Sequence, residues 1–156
     1  MAIDSGEFRR VLGHFPTGVM VVTGAGPVGM AIGSFASVSL DPPLVLFCPG
    51  KGSGAWQAIQ ATGSFCANIL GEHQQDVCAT FASPVDDRFA GIDWSTDVTG
   101  SPVLPGCLGH IDCDIEAVLD GGDHDIVVGR VRSLSVNGDD RPLLFFKGGY
   151  GRYEEI

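Results

Sequence analysis

His124 lies in the run Gly121-Gly122-Asp123-His124-Asp125, where a tight turn enters a strand. His110 and the aspartates around it raise metal binding as one chemistry. Their spacing matches no compact ligand motif and no thiolate pair stands by, so no metal site is expected. A plain turn histidine explains the same residues. Lys51, one of only two lysines, sits in Pro49-Gly50-Lys51-Gly52-Ser53-Gly54 ahead of the helical stretch AWQAIQA. Loose backbone, a helix N-terminus and one positive charge suit a phosphate, and an exposed linker accounts for the composition equally well. Ser37 and Ser39 in Gly33-Ser34-Phe35-Ala36-Ser37-Val38-Ser39 share a strand face with Phe35 if alternation is unbroken. Their hydroxyls can meet a ligand or water.

Gly24-Ala25-Gly26-Pro27-Val28-Gly29 satisfies G-x-G-x-x-G after a strand. A dinucleotide fingerprint needs a helix to follow, so that pyrophosphate meets its N-terminus. Met30 to Leu40 reads as strand instead, and Pro27 suits a turn, so the run is assigned to a hairpin. Neither G-x-S-x-G nor H-E-x-x-H occurs.

These residues need elements to position them. Asp4 and Glu7 have capping-box spacing, and Phe8, Val11, Leu12 and Phe15 follow on one helical face, so a short helix is expected to end at Pro16. GVMVVTG and GMAIGSFASVSL form the hairpin, and Asp41-Pro42-Pro43 turns the chain into the buried strand LVLFC. AWQAIQA and HQQDVCATFA read as helices, with SFCANIL a strand between them. Ser83 to Gly106 reads as a long surface excursion carrying Phe89 and Trp94. In HIDCDIEAV the residues Ile111, Cys113, Ile115 and Ala117 point one way, and Asp112, Asp114 and Glu116 the other. DHDIVVGRVRSLSV and PLLFFKGGY supply the last strands. About seven strands with two or three short helices argue against parallel βαβ units. A mainly β, antiparallel barrel removes the exposed edges.

The 156 residues suit a single domain, 1–156, and 44% hydrophobic residues are enough for a core without disulfides or metal. Twenty-three glycines, about twice the usual share, fit many turns. Nineteen acidic groups against nine Lys and Arg give a net charge of −10, and the longest basic run is Arg9-Arg10. Nucleic acid is not an expected partner. Five cysteines without a C-x-x-C pair read as reduced thiols of a cytoplasmic protein. With no signal-peptide pattern and no spanning apolar run, no membrane partner is expected.

Several stretches, taken together, resemble the short-chain flavin reductases, the reductase components of two-component, flavin-diffusible monooxygenases. They are FPTGVMVVTG, GMAIGSFASVSLDPPLVLFCPGK, GSFCANILGEHQQDVCATFA, DRFAGIDW, GGDHDIVVGRV and PLLFFKGGYGR. The likeness runs from about Phe8 to Tyr150, and its most specific parts are SFxSVSLDPP and GDHxIVVG. LVLFCP and WQAI are especially similar to actinobacterial members. The resemblance implies a dimeric split β-barrel of the FMN-binding type that uses FMN or FAD with NADH, or NADPH, and an oxygenase component as functional partner. It implies that Gly33, Ser34, Phe35, Ser37, Val38 and Ser39 line the isoalloxazine and the ribityl or phosphate part of the flavin. Lys51 and Ser53 would approach the phosphate end, and Asp87, Arg88 and Phe89 would border the cofactor's distal part. His124 would stand beside the nicotinamide as the catalytic candidate, in a pocket closed by Tyr150. Many relatives carry Thr and Asn where this chain has Ala31 and Gly33, which removes two side-chain contacts to flavin.

The implied reaction passes hydride from C4 of the nicotinamide to flavin N5, so the protein's task is to stack two rings. A histidine beside the stack, with an ordinary pKa of about 6.5, can orient the carboxamide or pass a proton, and orientation is the expected role. A flavin-binding sensor or storage protein without turnover is the alternative. A pyridoxamine-phosphate-type oxidase, on a related barrel, would want more Arg and Lys around a phosphate. With few positive groups to meet a 2′-phosphate, NADH is expected over NADPH.

Overall fold

The computed structural model describes residues 1–156. Helix α1, Ser5–Leu12, starts where the Asp4 carboxylate accepts the Glu7 amide at 2.9 Å. The strands that follow are β1 Thr17–Gly18, β2 Met20–Gly24, β3 Val28–Ile32, β4 Phe35–Leu40 and β5 Pro43–Phe47. Helix α2, Gly54–Thr62, leads to β6, Ser64–Ile69. A 3-10 turn, Glu72–Gln74, runs into α3, Gln75–Ala82. The rest is β7 Ser95–Thr96, β8 Pro102–Val103, β9 Gly109–Gly121, β10 His124–Val136, β11 Leu143–Phe146 and β12 Gly149–Arg152.

Seven strands pair antiparallel in the order β3-β2-β6-β9-β10-β5-β4. Residues from both ends of this order meet in one core: Ile32 on β3 and Val45 and Phe47 on β5 join Phe65, Val127, Trp56 and Ile59. That requires the sheet to curl into a barrel. The curl leaves edge strands β3 and β4 without a ladder between them, and this unzipped seam is the split of a split barrel. Gly129 makes the closure possible, since a Cβ there would lie 2.7 Å from Cε1 of Phe65. A smaller sheet, β1-β11-β12, and the pair β7-β8 flank the barrel.

The structure corrects several expectations. GMAIGSFASVSL is two strands, because the chain breaks at Gly33-Ser34 and β3 pairs with β2 while β4 pairs with β5. The register of β4 shifts between Ser37, opposite Val45, and Ser39, opposite Leu44. That bulge turns Ser39 to the face opposite Phe35 and Ser37, so the three residues do not share a side. Asp112, on the strand face opposite Cys113, is fully buried. It accepts from the Thr99 amide at 2.8 Å and the Thr99 hydroxyl at 2.6 Å. Asn68 accepts the Leu104 amide at 2.9 Å, and the Thr23 hydroxyl donates to the Pro102 carbonyl at 2.6 Å. These polar side chains on neighbouring β2, β6 and β9 dock the 83–106 segment onto the barrel wall. The excursion thereby becomes a second layer, with Phe89, Phe81 and Leu104 in its own core. The apolar face of α1 is uncovered: Phe8, Val11, Leu12 and Phe15 are each at least half exposed.

Candidate functional site

The seam gathers the candidate residues around three neighbourhoods. Gly33, Ser34 and Phe35 line a cleft of about 590 Å3 roofed by Leu12 and Phe15 at the end of α1. The Ser34 hydroxyl is already engaged, donating to the Cys48 carbonyl and accepting from the Cys48 amide, both at 3.1 Å. Ser37 and Val38 lie exposed along edge strand β4, and Ser39 is half-buried.

The second neighbourhood is the start of α2. Ser53 caps it, accepting the Trp56 amide at 3.2 Å, and its hydroxyl lies 4.0 Å from Sδ of Met30 on β3, across the seam. Gly54 and Ala55, whose amides belong to the first turn and have no intrahelical acceptor, line a cavity of about 370 Å3 with Gly29, Arg88 and Phe89. Arg88 donates to the Gly29 carbonyl at 2.8 Å and, through Nε and Nη2, to the Ser83 carbonyl at 3.1 and 2.7 Å. It therefore fixes the 83–89 loop to β3 while bringing its charge to the cavity. Phe89 is buried, edge-on to Phe81, so it forms a wall and not a mobile lid.

The third neighbourhood is the β9–β10 hairpin tip. His124 is exposed, with Nδ1 2.7 Å from the Asp123 carboxylate, and it forms a bridge with Gly50. The Lys51 amide donates to the Asp123 carbonyl at 3.0 Å, and the Asp125 amide to the Pro49 carbonyl at 2.9 Å. Lys51 and Asp120 form an ion pair that raises the lysine and holds the Asp120 carboxyl below its usual range. The bond to His124 likewise lowers Asp123. Thus the Lys51 loop and the His124 turn are one knitted unit, but the Lys51 charge faces Asp120 rather than standing free.

Tyr150 lies elsewhere. Its hydroxyl donates to Sγ of Cys78 at 3.3 Å, which together with partial burial raises its pKa. It lines an apolar cleft of about 200 Å3 with Val19, Ala31, Gly33 and Phe145. Gly33 borders both this cleft and the larger one, whereas His124 contacts neither Tyr150 nor its neighbours within the chain. Three participants escaped the sequence reading: Met30, Asp120 as the Lys51 partner, and Asp125, whose carboxylate accepts from Nε1 of Trp56 at 2.9 Å. Trp56 enters the sequence only as part of the helical stretch AWQAIQA, and no local signal links it to a residue so far along the chain.

This donor set suits a flat ligand carrying a phosphate. The seam is open, and beside it the α2 amides and the Arg88 charge meet at one cavity, together with the carboxylates of Asp86 and Asp87. Comparison with known proteins identifies the family. The model of the flavin reductase like domain matches residues 12–154. The chain is 55% identical over 152 residues to the Rhodococcus jostii flavin-dependent monooxygenase reductase subunit HsaB, covering 96% of this chain and 78% of that protein. The crystal structure of a nitrilotriacetate monooxygenase component B homologue from Mycobacterium thermoresistibile superposes with a TM-score of 0.94 at 54% identity, covering 97% of this chain and 87% of that one. The Streptomyces globisporus NADH:FAD oxidoreductase SgcE6, solved with NAD and FAD fragments, gives 0.92 at 37% identity, covering 99% and 97%. A split barrel shared along nearly its whole length with these proteins, and matched by the family's model from 12 to 154, places the chain in the flavin reductase-like family.

Proposed function

We propose that the protein moves hydride from NADH to FMN or FAD and supplies the reduced flavin to the oxygenase component of a two-component monooxygenase. It is an NADH:flavin oxidoreductase. The observation that carries the reading is the joint between the Lys51 loop and the His124 turn: the residues suited to hold flavin phosphate and the one suited to orient nicotinamide belong to one rigid piece.

The flavin, when bound, supplies the hydride-accepting chemistry. The chain's residues bind and orient. The α2 amides, Ser53 and Arg88 hold phosphate, Gly33 to Phe35 and the β4 edge with Ser37, Val38 and Ser39 border the rings, and His124 orients the nicotinamide carboxamide. Asp120 and Asp123 place negative charge at the His124 turn, and Lys51 is taken up by Asp120. That arrangement repels a 2′-phosphate and favours NADH over NADPH.

The protein acts as a homodimer in the cytoplasm. Phe8, Val11, Leu12 and Phe15 on α1, with Phe145 and Phe146 on β11, leave apolar surface that a symmetric copy would cover. No helix is long and apolar enough to cross a membrane.

The test is anaerobic NADH oxidation with added FMN or FAD, followed by transfer of the reduced flavin to an excess of a second acceptor. Turnover with free reduced flavin is expected. Tight flavin binding without NADH oxidation would make the chain a sensor or store instead. Sedimentation that gives only a monomer with flavin bound would overturn the dimer, and kcat/KM equal or higher with NADPH would overturn the nucleotide preference.

A further inference from the structure

Trp56 is a core residue, 1% exposed and edge-on to Phe47 with ring centroids 5.7 Å apart. Its indole N–H has one acceptor, the Asp125 carboxylate on β10, at 2.9 Å. A buried indole N–H needs such a partner, and an ionised one makes the bond strong and directional. Asp125 directly follows His124, so along the strand the two side chains leave on opposite faces: Asp125 inward to the indole, His124 outward to solvent. The Asp125 amide also donates to the Pro49 carbonyl, at the start of the loop that opens α2. Asp125 therefore ties the backbone of His124 both to a side chain of α2 and to the loop before it.

We infer that Asp125 is a positioning residue for hydride transfer, with the Trp56 indole as its anchor, setting His124 at a fixed place relative to a flavin held at the start of α2. This rests on the role given to His124 above. Without the bond the hairpin tip keeps its backbone hydrogen bonds to the Lys51 loop but loses its side-chain tie to α2, and the side-chain pairs left to it, Lys51 with Asp120 and Asp123 with His124, are exposed and hold geometry weakly. The flavin site itself, built on Ser53, Gly54, Ala55 and Arg88, stays intact.

The experiment is single-turnover flavin reduction by saturating NADH, with flavin affinity and melting temperature measured on each variant. Asp125→Ala should slow hydride transfer about tenfold while changing flavin Kd by less than about twofold. Asp125→Asn, whose amide oxygen still accepts from the indole, should restore most of the rate. In a His124→Ala background Asp125→Ala should have little further effect, since both act through one group. Should Asp125→Ala fail to fold because the indole N–H is orphaned, Trp56→Phe removes the donor and should give the same kinetic loss. Wild-type rates in Asp125→Ala or Trp56→Phe, or losses that multiply with that of His124→Ala, overturn the inference while leaving the reductase reading in place. A wild-type protein that transfers no hydride overturns both.

Discussion

Ser34 and Cys48 close a small ring at the end of the β4–β5 ladder, the hydroxyl donating to the Cys48 carbonyl and accepting from its amide at 3.1 Å each. Ser34 joins the two strands that form the open edges, and Cys48 directly follows β5, so one side chain carries the β4–β5 pairing a residue past Phe35 and Phe47 and holds the corner where the chain leaves β3. Ser34→Ala strands both backbone groups of a half-buried residue and should cost about 1–3 kcal/mol. Thermal unfolding should register a drop of several degrees, and flavin titration a weaker Kd. An unchanged melting temperature would mean that water replaces the hydroxyl and that the corner between β3 and β4 is held by packing alone.

The barrel is legible in the sequence where periodicity is local and unbroken. Alternation in β9 places Cys113 in the core, and the hairpin reading of Gly24–Gly29 is right because Pro27 and the following strand leave no room for a helix. What escapes is set by single residues or by distant ones. One extra residue at Val38 reverses the face of Ser39, and no pattern marks a bulge in advance. The burial of Asp112 escapes because its partner Thr99 lies in a segment without periodicity. The site is legible as separate motifs, since GDH and PGKGSG each show their local chemistry. Their joint through Asp125 and Trp56 spans 69 residues and exists only in the fold.

Acid should destabilise the protein through its surface ion pairs. Arg132 lowers Asp114, Arg130 lowers Glu116, and His110 lowers Asp97, in each case chiefly through a side-chain hydrogen bond. A carboxylate whose folded pKa lies below its unfolded value stabilises the fold above the ordinary carboxylate range, and that contribution is lost as pH falls through the depressed value. The melting temperature should therefore hold steady near neutrality and fall below about pH 4, with a shallower fall at high salt, which screens exposed pairs. A profile flat down to about pH 3 would show the pairs to be energetically idle.

Thiol reactivity should single out Cys48. Burial pushes Cys107 up to about 11 and Cys113 up to about 12, and raises Cys66 further. Cys78 is buried beneath the Tyr150 hydroxyl, whereas Cys48 alone is partly accessible. Because the thiolate is the nucleophile, a maleimide at neutral pH should add once, at Cys48, by mass spectrometry of the intact and digested protein, and five times after denaturation. Flavin covering the seam should slow that first addition. Rapid labelling of Cys113 in the native protein would mean that the barrel opens far more readily than its packing implies.

His124 carries the sharpest test, because its removal separates a reductase from a barrel that merely holds flavin. The ring is exposed and its one side-chain partner is the exposed Asp123, so His124→Ala leaves no buried group unsatisfied and should fold normally. Flavin affinity should stay close to wild type, since the groups proposed to hold its phosphate lie on α2 and Arg88. Hydride transfer should fall between about tenfold and a thousandfold, the loss expected when a positioned group worth about 1.4 to 4 kcal/mol of transition-state stabilisation is deleted. Single-turnover bleaching of the flavin measures this step without interference from product release. A variant that loses flavin and folding together would make His124 a turn residue. One that reduces flavin at the wild-type rate would remove it from the site, leaving ring stacking and Tyr150 to account for the chemistry.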